Sequence, residues 1–154
     1  MPDSSAIDQA LIDYLLADGL LRTLLPDGVF WSEAGPSLVH GGASTRFVIV
    51  SLSDAVDVPM FGGRAFEDVL YAVKTVELLT ATGRNSRAAA ARLDQLLDPQ
   101  PPDPRPTLAI DGYGVMVLRR RTRMRYTEVD EVDASIRWQH RGGTYQLMAA
   151  PTAT

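Results

Sequence analysis

A chain of 154 residues, 45% hydrophobic and 22% charged, has the composition of one globular domain and the length to bury a core without a staple. It holds no cysteine, which excludes a disulfide framework and thiolate metal sites but leaves the redox compartment open. No apolar run approaches the roughly 18–20 residues of a membrane span, and the formal charge of −4 speaks weakly against general nucleic-acid binding.

The start, MPDSSAIDQALIDYLLADG, has neither a basic n-region nor a long apolar core, so a signal peptide is not expected. Ala6, Ile7, Ala10, Leu11, Tyr14 and Leu15 recur at i, i+3, i+4 spacing and predict a helix over about 5–18. Ser4 or Ser5 is the expected N-cap and Gly19 the stop, with a short second helical turn, LLRTLL, running to Pro26. Aspartates at 3, 8, 13 and 18 look like a repeat. Steps of five advance about 140° on a helix, so they scatter around it and build no metal site.

GVFWSEA reads as a short strand, and GPSLVHGGAS after it as loop. Thr45 to Leu52, TRFVIVSL, is dense in β-branched and aromatic residues and predicts a buried strand. SDAVDVPMFGGR reads as a long connection. Ala65 to Leu79 alternates, with Val69, Tyr71 and Val73 on one face and Leu70, Ala72 and Val76 on the other. Helix is possible there, but its Val, Tyr and Thr content favours strand. GRNSRAAAARLDQLLD is the clearest helix, with Asn85 or Ser86 as its cap. PQPPDPRP breaks both helix and central strand and reads as an extended linker. GYGVMVLRRRTRMRYTEV and ASIRWQHRGGTYQLMAA are strand-like, and PTAT is expected to be a disordered tail. The order predicts an α+β fold: a largely antiparallel sheet with two main helices on one face, a single domain over 1–150 and a tail over 151–154.

Gly142-Gly143 stands between strand-like segments with no helix after it, unlike a phosphate loop. A bulge or a close approach of two backbones, at a sheet edge or bend, is the expected reason for the pair. His40 and His140 are the only histidines. General-base work at either would need an orienting partner and a nucleophile, and no G-x-S-x-G or H-E-x-x-H pattern supplies one. A structural or surface role is expected for both, and a hydrolase built around His140 has little else in its favour.

Charge is patterned more tellingly. Arg119, Arg121, Arg123 and Arg125 fall on alternate positions, which on a strand predicts a one-faced ladder about 20 Å long. Met116, Leu118, Met124 and Tyr126 then take the opposite, core-like face. Glu128, Asp130, Glu131 and Asp133 follow directly. Three readings stand: a solvated face beside a solvated loop, a self-complementary surface in which one copy's ladder meets the next copy's acids, or a nucleic-acid groove. The apolar Val56, Val58, Met60 and Phe61 sit in the expected 54–63 loop. They mark either a partner surface or a loop folded back on its own core.

Taken together, ALIDYLLADGLLRTLL, the VFW strand, RFVIVSL, SRAAAARLDQLL, the Pro-rich linker, the Arg-rich strand with its acidic turn, and RWQHRGGTYQL with its paired glycines resemble the tail terminator proteins of long-tailed bacteriophages and prophages. These are also described as tail completion or tail-to-head joining proteins. The resemblance covers most of the chain, and its ending is the most specific part. The long PQPPDPRPTLAIDG segment departs from the pattern. The resemblance implies a structural virion protein, assembled in the host cytoplasm, that forms a ring, commonly a hexamer, on the head-proximal end of the tail tube. Such a ring ends tube polymerisation and docks to the head connector, and DNA passes through its lumen without sequence recognition. Partners so implied are further copies of the chain, the tail tube protein and the connector or stopper protein, with no membrane, no metal, no cofactor and no catalytic residue. Another neck component, such as the stopper itself, and a nucleic-acid-binding module using the ladder are the alternatives.

Overall fold

The computed structural model describes residues 5–32, 46–60, 63–78, 83–106 and 108–152. The loop expected at GPSLVHGGAS, His40, the expected cap Ser4 and Phe61 lie outside them. The elements are α1 (Ser5–Leu16), α2 (Gly19–Leu24), β1 (Val29–Trp31), β2 (Arg46–Met60), β3 (Gly63–Leu78), α3 (Arg84–Leu97), β4 (Tyr113–Val129) and β5 (Arg137–Pro151). The strands form one sheet in the order β1-β2-β3-β5-β4, antiparallel except for β1 against β2. The expected α+β class is what the chain adopts.

All three helices lie on one face. Ile7, Leu11 and Leu15 of α1, Leu21 of α2, and Ala89, Leu93 and Leu97 of α3 share one core with Val48, Val50, Val69, Tyr71, Val73, Tyr145 and Leu147. Each long helix buries an i, i+4, i+8 stripe, the geometry that a 3.6-residue period gives. The other face carries a smaller cluster of Phe47, Val76 and Trp138. The alternation read in 65–79 is therefore real, and strand is the right period for it.

Several local expectations change. Gly19 does not stop the first helix, which ends at Leu16. It opens α2, whose N-cap is Asp18, with the carboxylate accepting from the Leu21 amide at 2.7 Å. Asn85 and Ser86 lie inside α3, not before it. The helix follows Gly83, which has a left-handed φ of 55° and no side chain to cap with. Glu77 of β3 supplies the cap from outside, accepting from the Ser86 amide at 2.9 Å and Asn85 Nδ2 at 3.0 Å. A carboxylate there meets unpaired N–H groups and the positive end of the helix dipole. At the C-terminus, Pro151 still belongs to β5 and the Thr152 amide donates to Gly112 O at 2.9 Å, so two residues of the expected tail are tied to the sheet.

The largest difference is SDAVDVPMFGGR. Residues 53–60 are not a connection but the outer half of β2, paired with β3 as far as Met60 opposite Gly63. Aspartates and Pro59 gave this stretch the composition of a loop. An edge strand tolerates both, because one side of its backbone needs no ladder partner.

Candidate functional site

Gly142 and Gly143 sit in β5, between β3 and β4 in the sheet, away from either edge. Neither has a positive φ. A Cβ on Gly142 would stand 2.1 Å from Val73 O and 2.7 Å from Lys74 Cα; one on Gly143 would stand 2.4 Å from Thr122 O. The pair therefore marks two close backbone approaches, one from each neighbouring strand, as expected. Its place at the centre of the sheet corrects the expected edge or bend.

The arginine ladder is broken by a β-bulge. Arg119 lies opposite Gln146 and Arg120 opposite Tyr145, but Thr122 is already opposite Thr144, leaving Arg121 as the extra residue. An extra residue on one strand inverts the alternation beyond it. Arg119 therefore shares the face of Thr122 and Met124, where its guanidinium donates to Gln146 Oε1 at 3.1 and 3.2 Å. Arg120, Arg123 and Arg125 point to the helix face instead. The same bulge corrects the expected apolar face: Leu118 pairs with Leu147 on the helix side, whereas Met124 and Tyr126 lie on the other, and Met116 is half exposed.

On the helix side Arg120 forms an ion pair with Asp94 of α3, whose second oxygen accepts from Tyr145 OH at 2.6 Å. That hydrogen-bonded carboxylate raises the Arg120 pKa further. Beside the pair opens a groove of about 610 Å³ lined by Arg87, Ala90, Arg123, Arg125 and Arg141. Arg87 belongs to α3 and Arg141 to β5, directly opposite Arg125. With the Gln139 amide turned so that its nitrogen donates to Ser86 Oγ, its oxygen accepts from Arg141 Nε and Nη2 at 3.2 and 3.0 Å. The Arg141 pKa is lowered by burial first, then by the neighbouring Arg125 and Arg87 charges. Sequence reading missed Arg87 and Arg141. Arg87, Ala90, Ala91 and Asp94 follow a helical i, i+3, i+4, i+7 stripe, which was a usable signal for the first; nothing local marked the second.

The acidic turn is mostly occupied with its own geometry. Asp130 is only 8% exposed. One of its oxygens accepts from the Val132 and Asp133 amides at 2.9 and 3.0 Å, the other from Trp138 Nε1 at 2.8 Å. Asp133 accepts from the Ser135 amide and hydroxyl at 2.9 and 2.6 Å. These are turn-forming carboxylates, as the competition of Asp side chains for local N–H groups allows. Asp130 is therefore held within its own turn, while Glu128, Glu131 and Asp133 are exposed.

His140 is 5% exposed and stacked on Tyr126, with centroids 4.5 Å apart and planes 7° from parallel. Lys74 donates to Tyr126 OH at 2.8 Å. His140 Nε2 is 2.9 Å from Glu128 Oε2, near enough for an ion pair once protonated, yet neither ring nitrogen completes a hydrogen bond. Burial, then the Lys74 charge, pushes its pKa down to about 4. Glu128 works the other way, but it is about half exposed, so solvent screens it and burial prevails.

At the opposite edge of the sheet, Leu52, Ala55, Val56, Asp57 and Tyr71 line a cleft of about 240 Å³ with Asp8 and Glu67. Tyr71 OH donates to Asp8 and Tyr113 OH to Glu67, both at 2.5 Å. Burial and the Asp8 carboxylate raise the Tyr71 pKa. Val58 is half buried, and Val56 and Met60 are exposed along the outer half of β2. Arginines thus line β4 and the groove beside it, and Asp8, Asp57 and Glu67 line the cleft at the β2 edge. The chain matches no protein-family model and no curated protein.

Proposed function

We propose that the chain is a ring-forming structural subunit of a phage tail, a tail terminator that caps the head-proximal end of the tail tube and docks to the head connector. The observation that carries this reading is the outer half of the β2–β3 hairpin. Leu52, Val56 and Met60 are 47%, 53% and 58% exposed there. Among the described residues nothing pairs with the outer edge of β2 beyond the Ser32–Val50 bond. A long, apolar, open edge invites pairing with another chain unless a partner covers it.

The topology favours a head-to-tail partner. Each neighbour from β2 through β3 and β5 to β4 is antiparallel, so β2 and β4 run in opposite directions. A second copy moved sideways brings its β4 antiparallel to the open edge of β2. Heterologous contacts of this kind close into rings when the rotation allows. No catalytic step, cofactor or metal belongs to this reading. Its partners are further copies of the chain, the tail tube protein and the connector or stopper, with DNA in the lumen and the virion as the final location.

Native mass spectrometry and electron micrographs of the purified protein test the proposal. Closed rings of one size are expected, with Leu52→Ser/Val56→Ser/Met60→Ser folding normally but failing to close them. A chain that stays monomeric at every concentration overturns it.

A further inference from the structure

We propose that the groove between α3, β4 and β5 is a binding site for the phosphodiester backbone of a nucleic-acid strand, read without regard to sequence. The inference does not rest on ring formation, and it keeps only Arg123 and Arg125 of the ladder the alternation suggested, adding Arg87 and Arg141.

The site is built from three elements, the β4–β5 hairpin and a helix well before it in the chain. α3 contributes Arg87, β4 contributes Arg123 and Arg125, and β5 contributes Arg141. The bulge at Arg121 makes this possible, because without the inversion Arg123 and Arg125 would share a face with Arg119, away from α3. Among the described residues no carboxylate comes within ion-pair distance of Arg123, Arg125 or Arg141. The one acid lining the groove, Asp94, is committed to Arg120 and Tyr145. Gln139 orients Arg141 without neutralising it. The charges of Arg123, Arg125 and Arg141 are therefore held together without a carboxylate between them, and a multiply charged anion relieves their repulsion.

Spacing decides which anion. Arg123 and Arg125 are two residues apart on one strand face, about 6.6 Å along the strand, and Arg141 stands one strand away from Arg125, about 4.8 Å. A line of donors at that repeat, with a second row beside it, suits an acceptor that repeats in a line. Each phosphate can then take two guanidinium groups, whose planar forks match its oxygens. The floor, Ala90 and Ala91, is small and apolar, and no aromatic side chain lines the groove. Tyr126, the nearest ring in the sequence, is on the other face of the sheet against His140. Bases therefore find nothing to stack on, and contact is limited to the backbone.

The test is fluorescence anisotropy with a labelled 20-nucleotide oligothymidine across a salt series. It compares the wild-type chain with Arg123→Glu/Arg125→Glu and with a charge-matched control, Arg119→Glu/Arg121→Glu, whose residues lie outside the groove. Circular dichroism and melting confirm that both variants fold. Wild-type binding is expected to fall with salt with a log–log slope near −2 to −3, from about 0.7 per phosphate contact on a single strand. The groove variant is expected to lose at least about tenfold in affinity and to flatten that slope, and the control to stay within about threefold of wild type. Competition by tripolyphosphate as strong as by unlabelled oligothymidine would assign the site to free phosphates instead of a strand and overturn the proposal. So would equal losses in the two variants, absence of wild-type binding, or tighter binding of a labelled polyglutamate peptide than of the oligonucleotide.

Discussion

The two halves of β2 are one strand paired along its length with β3, the inner half also with β1, and they live in different surroundings. In the inner half, Phe47, Val48 and Val50 are 3%, 0% and 0% exposed. In the outer half, Leu52, Val56 and Met60 are about half exposed. Helices cover the inner half on one face and the Phe47–Val76–Trp138 cluster fills the other. The outer half reaches past both. Burial follows from what the other elements can reach, and hydrophobicity only nominates residues for it. An apolar strand that the described residues leave uncovered is where a partner gains most by docking.

The largest loss of stability is expected at the centre of the sheet. Gly142→Val should cost more than about 4 kcal/mol, because its Cβ would overlap the backbone at Val73 and Lys74, which cannot swing aside as a side chain can. Recovery of soluble, cooperatively melting protein would show that β3 and β5 can spread. Next comes Leu93→Ala in α3, the helix that packs on β5 and β3. It removes a fully buried side chain and should cost about 2–5 kcal/mol by denaturant titration.

His140 gives the pH dependence of the other face. Its folded pKa, about 4, lies below the unfolded value of about 6.5. The fold therefore favours the neutral ring. Its contribution is fully present above pH about 6.5 and is lost as pH falls toward about 4, amounting to at most about 3 kcal/mol. His140→Phe keeps the stack on Tyr126 and removes the titration. Urea midpoints of the two proteins should draw together or cross between pH about 6.5 and 4.5; carboxylate effects, common to both, cancel. A constant difference would show that Glu128 holds the ring charged.

Asp130→Ala should cost about 1–3 kcal/mol, since Trp138 Nε1 and two turn amides lose their acceptor. Glu131→Ala in the same turn, exposed, should cost within about 0.5 kcal/mol. The smallest effect belongs to the outer half of β2. Val56→Ser and Met60→Ser should each change the stability of the isolated domain by about 0.5 kcal/mol or less. A loss like that of Leu93→Ala would mean that the chain itself buries this edge.

How much could be read in the chain depended on how far the signal travelled. The stripes Ile7–Leu11–Leu15 and Ala89–Leu93–Leu97, the alternation of Val69, Tyr71 and Val73, and the glycine pair itself are local, and each was legible, whereas the strands that approach the pair are not. The candidate site was only half legible. Arg123 and Arg125 were visible as a pair, but the face they share, and their neighbours Arg87 and Arg141, were not.

By itself the sequence determined where most of the helices and strands form and which of their faces are apolar, because side-chain period and backbone preference act within a few residues. Tertiary structure alone decided three things: that Arg121 bulges, that Asp54 to Met60 extends a strand, and that Glu77 caps α3. Each depends on a partner distant in the chain. A bulge exists only against the strand opposite it, a loop-like segment becomes strand only when another strand satisfies its backbone, and a carboxylate becomes a cap only when folding brings a helix end to it.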